Sequence, residues 1–536
     1  MAKTTPYQKS EWDTLHNNGP FPLKLLYVTE LGGESMFPSK TERYKDAAGE
    51  VQRLIRETAE AGEGFRAYGS RWSLSNIAHH RDRMHYNGYM NLHLPLAGED
   101  YHPQTGYDPS DLFFFECGNT IKELSQTLSS HGKSLKTSGA SNGQTIAGSV
   151  STGVHGSAID VGSIQDYVVG LNLIIGPEPD DIIYLERHTR PALSNTFADK
   201  IGARVIRNDE LFNAALVGLG GFGFIHGVTI EAEDKFLLRR HVVKVDKDVA
   251  LELADSMDFR NSEFKIEGET DEEGNPLRPY HYKVFMNPYN DEEEYVVEAI
   301  YKKPYEVPYP DPFPVVQKSV YRELIYLFVK IAEDLPNIIP KLIKQLNDVV
   351  LPSVDQTTIG THAELFWDSQ YQGPAFACSF GVDHRNSSKA WEVLAKVARE
   401  EGPFPGLFAM RFVKQSEAML AFTKFPITCM IEIDGVLWEK SDKLPSLTEF
   451  SRMMIEALQE NDIPFTLHWG KNADWGYPNL VNHMYGTDVV NKWKELRSAL
   501  LSPEMARVFS NDFMDTTGLS SVIDDADEDL IASLDE

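Results

Sequence analysis

Apolar residues recur at helical spacing from about Thr41 to Ala61, where Val51, Leu54, Ile55 and Ala59 fall on one face, and this periodicity predicts an amphipathic helix. The stretch "GEGFRAYG" at 62–69 then reads as a short strand that ends in a glycine turn. "DLFFFECGN" at 111–119 is a continuous apolar run of strand length, as a buried strand requires. "NTIKELSQTLSSHG" follows as a helix: Thr120 and Glu123 have the spacing of a capping box, and Gly132 suits its C-terminal end. Two further β-rich runs, "DYVVGLNLIIG" at 166–176 and "FGFIHGVTIEAE" at 222–233, complete a first region of about 235 residues in which short strands and helices alternate. That alternation is the pattern of an α+β domain.

Beyond Lys235 the texture changes. Residues 286–315 are acidic and proline-rich, and a helical stretch of about 35 residues follows, interrupted by Pro336 and Pro340. A second α+β region runs from about His362 to Trp475. The expected organisation is therefore two domains: an α+β unit over 1–237, and a second unit over 238–480 on a mixed or antiparallel sheet, with a helical insertion at about 315–350. A C-terminal segment, 481–536, is expected to return to the first unit and to end in the acidic tail "IDDADEDLIASLDE".

Composition narrows the function. The 536 residues carry 80 acidic and 51 basic side chains, a net charge of −29, which lacks the basic footprint of a nucleic-acid-binding protein. The same charge opposes electrostatic binding to an anionic membrane surface. Cys117, Cys378 and Cys429 are far apart and in no metal-like spacing, so neither a disulfide framework nor a metal site is expected, and a reducing compartment suits them. The first residues contain no apolar signal segment. The most membrane-like stretch, Val320 to Leu335, is interrupted by Arg322, Glu323 and Lys330, well short of the roughly 18 apolar residues of a span. A cytoplasmic protein is the expectation.

The densest chemical signal is "TSGASNGQTIAGSVSTGVHGSA" at 137–158, in which Gly139, Gly143, Gly148, Gly153 and Gly156 are separated mainly by small hydroxyl residues. Glycine lets backbone approach a ligand closely, and serine and threonine add hydrogen-bonding groups without bulk. A loop lying against a planar, phosphate-bearing cofactor needs this composition, and Ile146, Val150 and Val154 at four-residue spacing distinguish it from a flexible linker. Within it, "GQTIAGSVSTGVHGS" resembles the flavin-contacting segment "TIAGxxxTGTHG" of the vanillyl-alcohol-oxidase superfamily, in the branch of aldonolactone and alditol oxidases. Three more stretches match in order. "GSRWSLSNIA" at 69–78 resembles the family's pyrophosphate loop "GxGHSxSDIA". "GLGGFGFIHGVTIEAE" at 218–233 resembles the strand "SLGxLGVITxVTL", and "TLHWGKNADW" at 466–475 resembles the late motif "PHWxK".

The resemblance implies a two-domain fold of that superfamily, with FAD held by a PCMH-type N-terminal domain and a substrate, or cap, domain behind it. Tyr68, Gly69, Ser70, Arg71, Trp72 and Ser73 would surround the pyrophosphate. Ser138, Gly148, Ser149, Ser151, Thr152, His155 and Gly156 would line the flavin and its ribityl chain, and Ile225 to Val228 would edge the adenine through main-chain contacts. Trp72 stands where many relatives carry the histidine that bonds covalently to the flavin. An indole does not make that link, and His79 and His80 lie too far along the loop to replace it, so non-covalent FAD is expected.

For the chemistry, the resemblance points to Lys471 as a cation beside flavin or substrate, and to His468 as a proton acceptor or orienting group. Arg411 matches the arginine of the family's "ExR" pair, but Ala409 occupies the glutamate's place, which weakens the case for a sugar lactone or polyol. Arg411 could still clamp an anion or a carbonyl. Glu432 and Asp434 share one face of a strand and read as a solvated edge, with a displaced carboxylate as the alternative. The aromatic middle region, "PYHYKVFMNPY" and "HAELFWDSQYQG", suits ordinary core packing or a hydrophobic alcohol, as in the sterol oxidases of the superfamily. The implied activity is FAD-dependent oxidation of a small-molecule alcohol-type substrate, with O2 as acceptor and H2O2 as product. The alternatives are a dehydrogenase with another acceptor and a flavoprotein of redox-neutral chemistry.

Overall fold

The structure is a computed structural model that describes residues 1–290, 293–309, 335–341, 343–344, 354–366, 373–404, 406–435, 437 and 444–523. The helical insertion expected at about 315–350 lies largely outside the described residues, as do the membrane-like stretch and most of the acidic tail. A first, four-stranded sheet is formed by β1 (Lys3–Gln8), β2 (Leu25–Glu30), β3 (Phe65–Tyr68) and β4 (Arg83–Tyr86), in the order β1-β2-β4-β3. The helix Lys40–Glu60 precedes β3; Ser39 caps it through the Glu42 amide, and Val51, Leu54 and Ile55 are fully buried. Burial of each such side chain contributes about 1.5–3 kcal/mol, so the periodic face rather than the cap carries this helix.

A six-stranded sheet follows, from β5 (His93–Leu94), β6 (Leu112–Glu116), β7 (Val168–Ile174), β8 (Ile182–Glu186), β9 (Arg204–Arg207) and β10 (Phe224–Glu231). Its order is β9-β8-β7-β10-β6-β5, and only the β8–β9 pairing is parallel. β6, β7 and β8 are buried at every position, which explains their continuous apolar runs. The helix Ile121–Ser130 forms with the capping box intact, and Gly132 takes φ +73° beyond its end.

The second large sheet has eight strands: β11 (Phe236–Asp246), β12 (His281–Met286), β13 (Glu294–Pro304), β14 (Gln356–Thr361), β15 (Phe376–Asp383), β16 (Gly406–Lys414), β17 (Ile427–Gly435) and β18 (Phe465–Leu467). The order is β14-β11-β13-β12-β16-β17-β15-β18, antiparallel throughout rather than mixed. β13 arises inside the acidic, proline-rich stretch: Tyr295, Val297 and Ala299 alternate inward while the charged residues face out, and Pro304 closes the strand. The helices Ser387–Glu400 and Leu447–Glu460 pack together on this sheet.

The C-terminal helices fold back on the first unit. In the helix Thr487–Leu500, Trp493 Nε1 donates to Ala214 O at 3.1 Å and Arg497 Nε to Gly221 O at 2.7 Å. Asn511 donates to Ile77 O and His79 O at 2.9 and 2.8 Å and accepts from the buried Arg66. Asp166 fastens the two units: its carboxylate accepts from the Ser163 amide at 2.6 Å and from Ser416 Oγ at 2.5 Å. Burial pushes the Asp166 carboxyl from 3.8 up to about 7, against those two hydrogen bonds. The folded state thus holds a proton that the unfolded chain releases, and stability falls as pH rises between about 4 and 7. Asp166→Asn keeps an acceptor for Ser163 and cannot ionise. It should melt above the parent at pH 8 and show a smaller gap at pH 5, and scanning calorimetry at both pH values checks this.

Candidate active site

A cavity of about 370 Å³ lies between the first unit and the second large sheet, within the range of small-molecule sites. One wall begins where β3 runs out into the turn 69–74. Arg71 takes φ +61° there, a left-handed conformation that costs a non-glycine residue about 1–2 kcal/mol. The turn lies against the short helix Ile146–Thr152, and close approach dictates Gly69: a Cβ at this position would sit 2.0 Å from Thr145 Oγ1. The four-residue spacing is now explained. Ile146 and Val150 anchor that helix in the core, and Gly153 ends it at φ +67°.

Of the residues singled out in the sequence, Tyr68, Gly69, Ser70, Arg71, Trp72 and Ser73 line the cavity, as do Gly148, Ser149, Ser151, Thr152, His155 and Ile225. Arg411, His468 and Lys471 line it as well. Three do not. Val228 is fully buried and pairs with Phe115 and Leu171 in the sheet, so alternation along β10 turns it into the core. Gly156 packs against Thr137 and the Ser138 carbonyl. Ser138 is buried behind the loop, with its hydroxyl 3.4 Å from His362 Nε2. Ser151 and Thr152 spend their hydroxyls on the carbonyls of Ala147 and Gly148, at 2.7 and 3.0 Å. His79, donating to Pro22 O or stacked on Trp12, and His80, beside Gly64, are absent from the lining.

The opposite wall is charged. Glu432 on β17 is 2% exposed, which overturns the solvated-edge reading. It lies directly opposite Ala409 on β16, so a carboxylate stands across from the position where the resemblance expects one. Glu432 Oε1 accepts from Arg411 and, at 3.0 Å, from Lys471 Nζ. Lys471 also donates to Ser379 Oγ at 2.7 Å and lies 3.6 Å from Asp434, which remains half exposed. Burial alone would raise the Glu432 carboxyl; Arg411, Lys471 and Lys283 outweigh it and hold the group well below the usual carboxylate range. Lys471 is lowered by burial but raised further by Asp434 and Glu432, so it stays an ammonium.

Two of the histidines that line the cavity, His155 and His468, are neutral. Burial, aided by Arg411, lowers His155 to about 3, and burial beside His155 lowers His468 well below its ordinary value. Their tautomers differ. His155 Nδ1 donates to Gly156 O at 3.1 Å, which leaves the lone pair on Nε2. His468 Nδ1 accepts from the Gly470 amide at 3.0 Å, so its proton is on Nε2. His468 is therefore a donor, not the proton acceptor that its motif allowed.

The cavity also uses residues that no motif marked. Trp12, His16, Arg66, Asn87 and Lys283 line it. The buried atoms Ser149 Oγ, Ser141 Oγ, Gln144 Oε1, Asn87 Oδ1 and Arg66 Nε have no hydrogen-bond partner among the described residues. Unmatched polar atoms around a cavity walled by glycine and hydroxyl groups fit a large polar cofactor such as FAD, because each atom costs about 1–3 kcal/mol until it is matched.

No family model matches the chain. It is 32% identical over 139 residues to L-gulonolactone oxidase 3 of Arabidopsis thaliana, covering 26% of this chain and 21% of that protein. It is 25% identical over 195 residues to D-arabinono-1,4-lactone oxidase of Candida albicans, covering 35% and 31%. It is 22% identical over 222 residues to the mitochondrial L-galactono-1,4-lactone dehydrogenase of Brassica oleracea, covering 41% and 32%. The chain thus spans between 21% and 32% of the length of these curated relatives. Among solved structures, cholesterol oxidase of B. sterolicum superposes with a TM-score of 0.65 at 15% identity, over 96% of this chain and 97% of that one. A solvent-stable cholesterol oxidase gives 0.68 at 13% identity, over 96% and 98%. The fold is therefore the complete two-domain α+β architecture of these oxidases. Part of the chain is thus similar in sequence to aldonolactone oxidases and dehydrogenases, and its fold is similar to that of the cholesterol oxidases.

The clearance at Gly69 gives a direct test. Gly69→Val should displace the turn from Thr145 and lower the flavin-to-protein absorbance ratio of the purified protein at least about ten-fold, with the far-ultraviolet circular dichroism unchanged.

Proposed function

We propose that this protein is an FAD-dependent oxidoreductase that oxidises a CH–OH group of a small-molecule substrate and passes the electrons to O2, with release of H2O2. The observation that carries this reading is the buried Arg411–Glu432–Lys471 network, which faces the same cavity as the glycine- and hydroxyl-rich wall. FAD, when bound, supplies the hydride acceptor. Tyr68 to Ser73, Gly148, Ser149 and Ile225 would hold it, with Trp72 in place of a tethering histidine and the cofactor non-covalent.

The chain's own residues supply position and charge. The Lys471 ammonium stabilises negative charge that develops beside it, and Glu432 fixes Lys471 and Arg411 in one arrangement. His155 Nε2 offers a lone pair to a substrate hydroxyl, and His468 Nε2–H offers a proton donor. The overall change is alcohol plus O2 to carbonyl compound plus H2O2. Because a relative is named as a dehydrogenase, a non-oxygen acceptor is the second reading. Its test is the same assay, with a quinone or cytochrome replacing O2. The three free, buried thiols support a reducing, cytoplasmic setting.

The purified protein should show flavin bands near about 375 and 450 nm, and acid precipitation should release the colour into the supernatant. Colour that stays with the pellet would refute non-covalent binding, and a colourless protein that does not take up FAD would refute the assignment. Lys471→Met should keep its flavin yet slow substrate-dependent bleaching under anaerobic conditions by about 100-fold or more; an unchanged rate removes Lys471 from the chemistry.

A further inference from the structure

The second sheet's side of the cavity holds one cation beyond the two that hydrogen-bond Glu432. Lys283 on β12 lies directly opposite Arg411 on β16, and both side chains line the cavity. Like charges directly opposed across two strands destabilise a sheet. Lys283 makes no ion pair or hydrogen bond with any described residue; its ammonium rests 4.6 Å from the centroid of the Phe285 ring. Its cross-strand neighbour on the other side, Glu298, is already paired with Arg240 at 2.5 Å. Arg411 is equally underused. It is 9% exposed and, among the described residues, makes one side-chain hydrogen bond, to Glu432, while its buried Nε has no partner among them.

From this juxtaposition we infer that Lys283 and Arg411 form an anion-binding subsite, and that the substrate oxidised here carries a carboxylate in addition to its hydroxyl group. The inference rests on the reading of the cavity as the site of flavin-dependent oxidation. The carboxylate would lie between the ammonium and the guanidinium, satisfy donors that the fold leaves open, and screen the Lys283–Arg411 repulsion. Burial, reinforced by Arg411 and partly offset by Glu432, Glu298 and Asp434, lowers the Lys283 ammonium, and a bound carboxylate would favour its charged form. Of the other cavity-lining cations, Lys471 is paired with Glu432, and Arg66 and Arg71 stand on the first unit's wall beside the turn that suits a pyrophosphate. Lys283 is thus on the side left for substrate. A neutral lactone or sterol would leave both donors unmatched, and a site built around polar donors discriminates against ligands that lack the matching acceptor.

Benzoate and its neutral isostere benzamide, titrated into the FAD-loaded protein and followed by the visible flavin spectrum, provide the test without requiring turnover. Benzoate is expected to perturb the spectrum saturably and to bind at least ten-fold more tightly than benzamide. Lys283→Met should weaken benzoate at least ten-fold and leave benzamide unchanged, while Lys283→Arg should recover most of the benzoate affinity. Equal binding of the two probes, no response to benzoate, or an unchanged benzoate affinity in Lys283→Met would overturn the subsite. So would a Lys283→Met variant that loses turnover with its benzoate affinity intact, which would make Lys283 a proton acceptor instead. A protein that cannot be loaded with FAD fails before any probe is added, so failure of the parent reading is separable from failure of this one.

Discussion

The constraint on which the rest depends is that a cavity must stay open between the first unit and the second large sheet, which would otherwise close on each other. An open cavity forfeits the dispersion and hydrophobic gain that close packing supplies, so its walls must be held apart from behind. The chain does this with short segments anchored in the core on one side and stripped of side-chain bulk on the other. The helix Ile146–Thr152 shows the principle: Ile146 and Val150 are fully buried, while Gly148 faces the cavity and Gly69 lets the opposing turn approach Thr145. Larger side chains at those two glycines would either fill the space or force the walls apart.

The second consequence is electrostatic. A chain with net charge −29 keeps, around this one cavity, Arg66, Arg71, Lys283, Arg411 and Lys471 against Glu432 and Asp434. Arg66, Arg411 and Glu432 are buried, which is costly unless each is matched. Glu432 matches two of the cations, and backbone or amide oxygens take part of Arg66, through Leu219 O and Asn511 Oδ1. What stays unmatched is distributed on both walls. That distribution suits an occupant that is anionic along one side, as a diphosphate is, and polar on the other. The acidic exterior then matters little, because surface charges are screened by salt over roughly 8–10 Å while the cavity interior is not.

Much of the fold was legible because local rules and tertiary packing agree. The helix at 40–60, the capping box at Thr120, the buried strand at 112–116 and the strand at 224–231 all form as their patterns require. β13 was not legible: it lies inside an acidic, proline-rich stretch, and pairing with β11 and β12 makes it a central strand. The site shows the same division. Glycine-rich segments announce themselves because clearance restricts residue type. Val228 misled because a motif gives a strand's position in sequence and not which of its faces meets the ligand. Glu432 misled in the opposite sense. Its alternating "IEIDG" context is that of a solvated edge, and what buries it is the arrival of Arg411 from one side and Lys471 from the other, contacts separated by 21 and 39 residues. Trp12, His16 and Lys283 carry no motif at all; topology alone brings them to the cavity.

The loop that carries Trp72 shows how a site without a tethering histidine can still be well ordered. Leu15 donates its amide to Arg71 O at 2.8 Å, Leu74 donates to Gly470 O at 2.8 Å, and Ser75 Oγ donates to Trp469 O at 2.8 Å. Asn511 then takes up the carbonyls of Ile77 and His79. These bonds come from an N-terminal segment, from the strand end that bears Lys471, and from the C-terminal helices. Each contributes only about 0.5–1.5 kcal/mol net, but together they fix both flanks of the turn before any ligand arrives. Trp72 is held among them, in edge contact with His16 at 5.4 Å and beside Gly143, where any Cβ would meet its indole at 3.0 Å. Preorganisation of this kind lowers the ordering cost of binding, so the retention that a covalent bond would enforce can be reached by rigidity. The indole is accordingly not a vacancy in the mechanism. It is a wall element whose position is set by both ends of the chain.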